Sequence, residues 1–441
     1  MRDMTLAESM RAEGGTASFS LPASTIRRAI LSSVIGNAME WYDFVVFGFF
    51  TAAISKAFFP ASDAFVSTLL TTATFAISFA VRPVGGVLLG IYADKVGRKP
   101  TLTLMILLMG LSTLIIGVTP SFETIGLAAP ILIICARLLQ GISVGGEFAS
   151  ATAMLAEYAP AKRKGFYSSF QMCSQALAVS LGAFSGFILG ALMEPAALES
   201  WGWRIPFLLG LLIAPIGFYI RRHVDESPEF VRLNATKRPA ASLPFQEVFA
   251  RHRSPLLAGF GAVVIGTTSN YVWFIYLPLH IVQQLKLPIS TMLLSTFIAS
   301  GLLFVLCPLT GALGDRLGFR RVLATGALGF GVLAYPMLTY VLAAPSLDRL
   351  LVAQLASIVF ISLIWGTMPG LLAGLFPVGV RSTGMSVSYN LAVLLFGGLA
   401  PFTLTWLLKL SGDPMVPAYY VIASAAVSLL ALWIGRSDRT A

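Results

Sequence analysis

Gly90-Ile-Tyr-Ala-Asp94-Lys95-Val-Gly97-Arg98-Lys99 and Gly311-Ala-Leu-Gly-Asp315-Arg316-Leu-Gly318-Phe-Arg320 are two copies of one pattern, Gly-x-x-x-Asp-[Lys/Arg]-x-Gly-x-[Arg/Lys]. A constant offset of 221 residues separates Gly90 from Gly311, Asp94 from Asp315 and Gly97 from Gly318, which marks a duplication. Each copy follows a long apolar run and precedes another, so each reads as a tight polar turn between two membrane helices. Two duplicated helical bundles leave a cleft between them, and in membrane proteins such a cleft usually moves a solute.

Composition supports the membrane reading. The chain is 56% hydrophobic and only 11% charged, against roughly a quarter charged in soluble domains. Apolar stretches long enough to cross a bilayer as helix begin near Ala29, Phe65, Thr101, Ala128, Phe166, Arg204, Pro255, Ser290, Val322, Leu351, Gly384 and Val416. That is about twelve spans by length. The expected fold is all-α: twelve transmembrane helices in two pseudo-symmetric six-helix bundles.

The net charge of +10 is not a nucleic-acid signal, because of where it sits. Lys95, Arg98 and Lys99, then Lys162 to Lys164, Arg221 and Arg222, Lys237 and Arg238, Arg316, Arg320 and Arg321, Arg381 and Arg436 fall in alternate loops. The intervening loops hold scattered cations such as Lys56, Lys286, Arg349 and Lys409. This bias places both termini in the cytoplasm of a plasma membrane, with the basic loops facing anionic lipid. Residues 1–28 are then a cytoplasmic tail without the apolar core of a cleavable signal, and 436–441 a second tail.

The longest polar interval divides the chain. It implies a first bundle over 29–221, a cytoplasmic linker over 222–253 carrying a short amphipathic helix around Phe245 to Arg251, and a second bundle over 254–435. A second repeated signal, Tyr158-Ala159-Pro160 before Arg163 and Leu375-Phe376-Pro377 before Arg381, aligns Gly165 with Gly384. Gln171 then falls opposite Asn390, so two amides are expected to face each other across the pseudo-twofold axis. Gly86 and Gly90, Gly141 and Gly145, and Gly182, Gly186 and Gly190 recur in four-residue steps that let helix backbones approach closely. Cys135, Cys173 and Cys307 lie inside spans and imply no disulfide framework.

Ionisable groups within spans are costly and therefore functional candidates. Five stand out: Glu40, Asp43, Arg82, Arg137 and Glu147, all in the first half. Asn37, Glu40 and Asp43 follow a three-residue step that puts them on one helical face. A carboxylate held partly away from water can bind and release a proton in the physiological range, as a proton-coupled carrier requires; the alternative is that one acid pairs with an Arg to orient helices. Arg137 cannot be neutralised by losing a proton, so it must meet a carboxylate, carbonyls or an anionic solute. Arg82, beside Pro83, could instead satisfy carbonyls freed by a kink. Gln171, Gln175, Asn270, Tyr271, Tyr389 and Asn390 offer hydrogen bonds in apolar surroundings, as solute pockets do. Gly90, Asp94, Arg98, Gly311, Asp315 and Arg316 are assigned to gating. No metal-ligand spacing occurs, and no enzyme is expected: Gly141-Ile-Ser143-Val-Gly145 and Gly329-Phe-Gly331-Val-Leu-Ala334 imitate a hydrolase elbow and a dinucleotide fingerprint, but both lie in apolar helices rather than after strands.

The doubled Gly-x-x-x-Asp-[Lys/Arg]-x-Gly loop and Arg137-x-x-Gln140-Gly141 resemble the signatures of the major facilitator superfamily. Within it, Glu40-Trp41-Tyr42-Asp43-Phe44, Arg82-Pro83-Val-Gly85-Gly86, Gly145-Gly146-Glu147 and Trp201-Gly202-Trp203-Arg204-Ile-Pro206-Phe207 are similar to the metabolite:proton symporters. The resemblance implies uptake of citrate, 2-oxoglutarate, shikimate or related acids, or of the osmolytes proline and betaine, by alternating access around a central site. The proton is then the coupling ion and no other cofactor is needed. The resemblance carries the coupling role onto Glu40 and Asp43 and the role of holding a substrate anion onto Arg137; Glu147, as a further coupling candidate, and Arg82, as a further anion-binding candidate, join them as ionisable groups of the same half. Trp41, Tyr42 and Trp273 could supply the aromatic faces that a betaine needs.

Overall fold

The computed structural model describes residues 23–61, 63–96, 98–211, 244–277, 289–377 and 380–435. Among them nine helices are long and apolar enough to cross a membrane. Helix α1 runs Ala23–Phe49, α2 Ala64–Val96 and α3 Arg98–Val118. Helix α4 runs Ala128–Val144 and, after a break at Gly145 and Gly146, continues as Glu147–Tyr158; α5 begins at Lys164–Ser168 and continues as Phe170–Leu192. Residues 205–211 form the described start of α6. In the second half α7 covers Arg253–Thr268 and the π-helical Ser269–Tyr276, α8 Ile289–Leu317, α9 Phe319–Ala343 and α10 Leu347–Leu375. Helix α11 starts as Arg381–Val393, passes through a π-helical Leu394–Gly398 and ends as Ala400–Ser411, and α12 is Val416–Ile434. The expected span starts each lie within a few residues of these.

The short amphipathic helix expected near the linker's end is present as Pro244–Arg251. The rest of the linker up to residue 243, and the chain ends 1–22 and 436–441, lie outside the described residues. Outward-facing Leu107, Ile131, Val332 and Trp433 form part of an apolar surface suited to lipid tails.

The second motif loop shows what its glycine does. Gly318 has φ of 91°, a left-handed conformation that a side chain disfavours, and its N–H bonds the Gly314 carbonyl at 2.9 Å to close α8 before α9 begins. Gly97 of the first copy, the surroundings of Gly90 and the side chains of Asp94 and Arg98 fall outside the described set.

The halves meet along α5 and α8, which run antiparallel. Gly165 lies against Gly311 at the motif end, and Gly186 and Gly190 lie against Leu293 and Ile289 at the other end. Helix α1 meets α7 where Gly48 receives Ile275, and α2 meets α11 where Gly398 receives Phe79. Lys409 reaches over the Phe65 ring at 5.5 Å, from α11 to the start of α2. Contacts between halves therefore exist at both ends and at the middle.

Candidate functional site

The site begins with a close approach of two helices. A Cβ on Gly141 would stand 2.2 Å from the Ser78 carbonyl oxygen, one on Gly145 2.0 Å from that of Arg82, and one on Gly85 2.3 Å from that of Ile142. Only glycines allow α2 and α4 to touch backbone to backbone here. That contact carries Arg82 and Arg137 into the interior, where they are 1% and 0% exposed.

Both arginines lie on aromatic faces. The guanidinium carbon of Arg82 is 4.2 Å from the Phe79 ring centre, 4.7 Å from Phe44 and 5.5 Å from Trp41. That of Arg137 is 3.6 Å from Phe47, 5.1 Å from Phe75 and 5.3 Å from Phe44. A desolvated cation on an aromatic face gains about 2 kcal/mol or more, which offsets only part of the several kcal/mol that burying each ion costs. The remainder must come from polar partners. Arg137 gives Nη1 to the Gln140 side-chain oxygen at 2.6 Å. Its Nε and Nη2 have no acceptor, and neither do Nε and Nη2 of Arg82. In each guanidinium these two nitrogens point their hydrogens the same way, along the edge that grips a carboxylate with two parallel bonds.

The acids occupy the neighbouring face of α1. Asp43 is 4% exposed and attracts Arg137, but no hydrogen bond joins them. Its Oδ2 is bonded to the Thr113 hydroxyl on α3, and its Oδ1 faces Gly210 of α6 without a donor. Glu40 is buried and acts electrostatically on the hydroxyls of Tyr271 and Tyr389. Tyr271 presents its ring to Trp41, Phe75 and Phe79, so α7 of the second half closes the aromatic cage built on α1 and α2.

Tyr389 on α11 stacks flat on Phe148 of α4, with ring centres 3.6 Å apart, and receives the Gln175 amide at 3.3 Å. Asn270 beside Tyr271 is 2% exposed with neither side-chain polar atom bonded, and the Tyr271 hydroxyl also has no partner. These two residues belong to the π-helical stretch of α7; such stretches are uncommon and recur at functional sites.

The structure brings together Glu40, Asp43, Arg82, Arg137, Gln175 and Tyr271. It corrects the expected pairing of Gln171 with Asn390. Gln171 donates to Asn37 Oδ1 at 3.0 Å within the first half, whereas Asn390 donates to the Gly145 carbonyl at 2.9 Å across the halves, at the break in α4. Each amide has its own nearer partner, so the two do not meet. Glu147 lies beyond that break, half-buried, at the start of the α4 continuation. Asp315 sits with Gly311 at the motif end, where it bonds the first turn of α5, and the Arg316 beside it is exposed. Sequence reasoning missed Thr113, the cage residues Phe75 and Phe79, and an ion pair between Glu157 of α4 and Arg381 of α11 at 3.2 Å. The four-residue step from Phe75 to Phe79, one turn before Arg82, was the available signal for the cage.

A family model described as "Sugar (and other) transporter" matches residues 29–243 and again 235–434. The chain belongs to this family of the major facilitator superfamily. It is therefore a multi-pass membrane transporter and not an enzyme. It is 39% identical over 410 residues to a citrate-proton symporter of Klebsiella pneumoniae, covering 91% of this chain and 90% of that one. It is 35% identical over 424 residues to a proline/betaine transporter of Salmonella typhimurium, covering 92% and 82%. The fold matches a D-xylose-proton symporter at a TM-score of 0.72 and 19% identity, over 93% of this chain and 97% of that one.

Proposed function

We propose that the chain is a proton-coupled symporter that takes up a small di- or tricarboxylate by alternating access, in a bacterial inner membrane with both termini cytoplasmic. The observation that carries this reading is the pair of guanidinium edges, Nε and Nη2 of Arg82 and of Arg137, buried in one cage without acceptors. Two such edges suit a solute with at least two carboxylates. We assign its remaining oxygens to Asn270 and Tyr271 on the side of the second half, whose side-chain polar atoms have no partner; Gln175 supports this wall through Tyr389, and Gln171 and Asn390 bond neighbouring helices.

Proton coupling follows from the charge balance. Importing a dianion against about 100 mV, inside negative, costs roughly 4.6 kcal/mol at about 2.3 kcal/mol per charge. Two co-transported protons cancel that cost. Asp43 and Glu40, buried beside the arginines, are the carriers we assign, with Glu147 on the exit side of the α4 break.

Relatives named as proline/betaine transporters make a zwitterionic osmolyte the second reading. The cage argues against it. The faces of Phe44, Phe47 and Phe79 are already covered by guanidinium groups, and a quaternary ammonium would have to sit among two cations. Trp273 is turned edge-on to Phe330 of α9, and Tyr42 is bonded to Ser185 of α5, so neither joins Trp41 in a box. Uptake into proteoliposomes of citrate, other di- and tricarboxylates, proline and betaine separates the readings. An inward acid gradient should drive accumulation of an acid and a protonophore should abolish it; accumulation of betaine alone, or equal uptake without the gradient, refutes the proposal.

A further inference from the structure

The Thr113 hydroxyl oxygen stands within hydrogen-bonding distance of two acceptors at once. One is the Met109 carbonyl of its own helix, at 3.0 Å; the other is Oδ2 of Asp43 on α1. A hydroxyl has one hydrogen and two lone pairs, so it cannot donate to both. If the hydrogen lies on Met109, the contact with Asp43 is attractive only when the carboxyl carries a proton and donates it to Thr113. If the carboxyl is ionised, the hydroxyl must turn and donate to it. Met109 loses little in that turn, because its carbonyl keeps the backbone bond of the helix.

The surroundings of Asp43 permit both arrangements. Thr113 is 2% exposed, so water does not share its bond. Oδ1 faces Gly210, where a Cβ would come within 2.9 Å, and has no donor. The charged and titratable groups facing this neighbourhood are Arg137 from α4, Arg82 from α2 and Tyr271 from α7, together with Glu40 and Tyr42 on α1 itself. The adjoining part of α3 contributes Thr113, and the described part of α6 contributes Gly210. None of these groups donates a hydrogen bond to the carboxyl except Thr113.

We propose that Thr113 is a positioning residue for the coupling proton: its hydroxyl accepts from protonated Asp43, donates to the ionised form, and holds α1 to α3 in both states. The proton then leaves to water of the opened cavity while the helix contact persists, and Arg137 gains or loses its charged neighbour. This rests on the reading of Asp43 as a proton carrier. It adds the residue that keeps the carboxyl bonded through the exchange.

Infrared titration of the purified protein in detergent tests this without requiring the substrate. The carbonyl stretch of protonated Asp43 is identified as the band lost in Asp43→Asn. In Thr113→Val, which preserves volume and branching, that band should shift in frequency. Its half-point should move by roughly half to one pH unit to more alkaline values, because the ionised form loses the stronger, charge-assisted bond. Thr113→Ser should restore both quantities. Should the valine variant fail to fold, Thr113→Ala is expected to give the same shifts. An unchanged band and half-point in a folded Thr113→Val variant overturns the proposal and leaves proton symport standing, as does a serine variant that behaves like valine. A wild-type protein with no titrating band assignable to Asp43 overturns the proposal together with the proton-carrying role of Asp43.

Discussion

The carboxylate of Asp315, at the end of α8, accepts the backbone N–H groups of Gly165 at 2.7 Å and Phe166 at 3.0 Å, so an acid of one half caps the first turn of α5 in the other. The helix end supplies unpaired donors and a partial positive charge, which is where a carboxylate binds well. The bond can exist only while the halves are together at the motif end. We therefore assign Asp315 to the gate rather than to the solute.

Asp315→Asn keeps the shape but removes the charge, and hydrogen bonds to charged groups contribute about 1.5–3 kcal/mol against about 1 for neutral ones. The closed arrangement at this end should lose about tenfold in population. Uptake should slow while equilibrium substrate affinity stays within a few fold. Loss of all binding in a folded variant would place Asp315 in the solute site instead.

The glycine contacts between α2 and α4 give a second expectation with an internal control. Gly145→Ala would drive a methyl group into the Arg82 carbonyl, and Gly141→Ala into that of Ser78, whereas a Cβ on Gly146 meets nothing within 4 Å. Overpacking of this kind costs about 1–3 kcal/mol or more. Thermal unfolding in detergent should show Gly141→Ala and Gly145→Ala destabilised and Gly146→Ala close to wild type. Equal stability of all three variants would mean that the close approach of these helices is not required.

Much of this arrangement is legible in the amino-acid sequence. Span starts followed from apolar length, and the duplicated loop announced two halves. Arg82, Arg137, Glu40 and Asp43 stood out because a charge in lipid demands a partner. What was not legible is the direction in which apolar side chains point. The four-residue step from Phe75 to Phe79 puts both on one face of α2, but whether that face meets lipid or protein is decided only by the packing on Tyr271 of α7. Thr113 reads as an ordinary helical threonine bonded to its own backbone. The π-helical turns around Asn270 and Gly397 carry no sequence mark, yet each changes which residues face the first half. Gln171 and Asn390 occupy matching places in the repeat, but matching places are related by symmetry and need not be neighbours.

The ion pair between Glu157 and Arg381 joins α4 to α11 at side-chain exposures of 11% and 14%. Removing one member of such a pair forfeits its attraction to the other while the desolvation of that other remains, at a cost of up to about 3–5 kcal/mol, whereas replacing both can be nearly neutral. Arg381→Met should therefore lower the unfolding temperature more than Glu157→Gln combined with Arg381→Met. A double-mutant cycle measures the difference. A coupling energy near zero would show that the pair contributes nothing to holding the halves together.

Arg137 offers the sharpest test of the proposed solute site, because its guanidinium charge is fixed and its Nε and Nη2 lack acceptors. Lysine keeps the charge but presents a point donor instead of a planar fork, so Arg137→Lys should weaken binding of a tricarboxylate such as citrate. Arg137→Gln should abolish it, since losing one partner of a buried charge pair costs about 3–5 kcal/mol, more than a hundredfold in affinity. If Arg82 grips a second carboxylate, Arg82→Lys should also weaken citrate binding. Its effect should be much smaller on a monocarboxylate, which one fork already satisfies. A purely structural role predicts a different pattern: both glutamine variants unfold early in detergent, and those that remain folded bind normally. Equilibrium binding and thermal unfolding must therefore be measured on the same preparations. Wild-type affinity in a well-folded Arg137→Gln variant would exclude Arg137 from the solute site, and the dicarboxylate reading would lose the first of its two anchors.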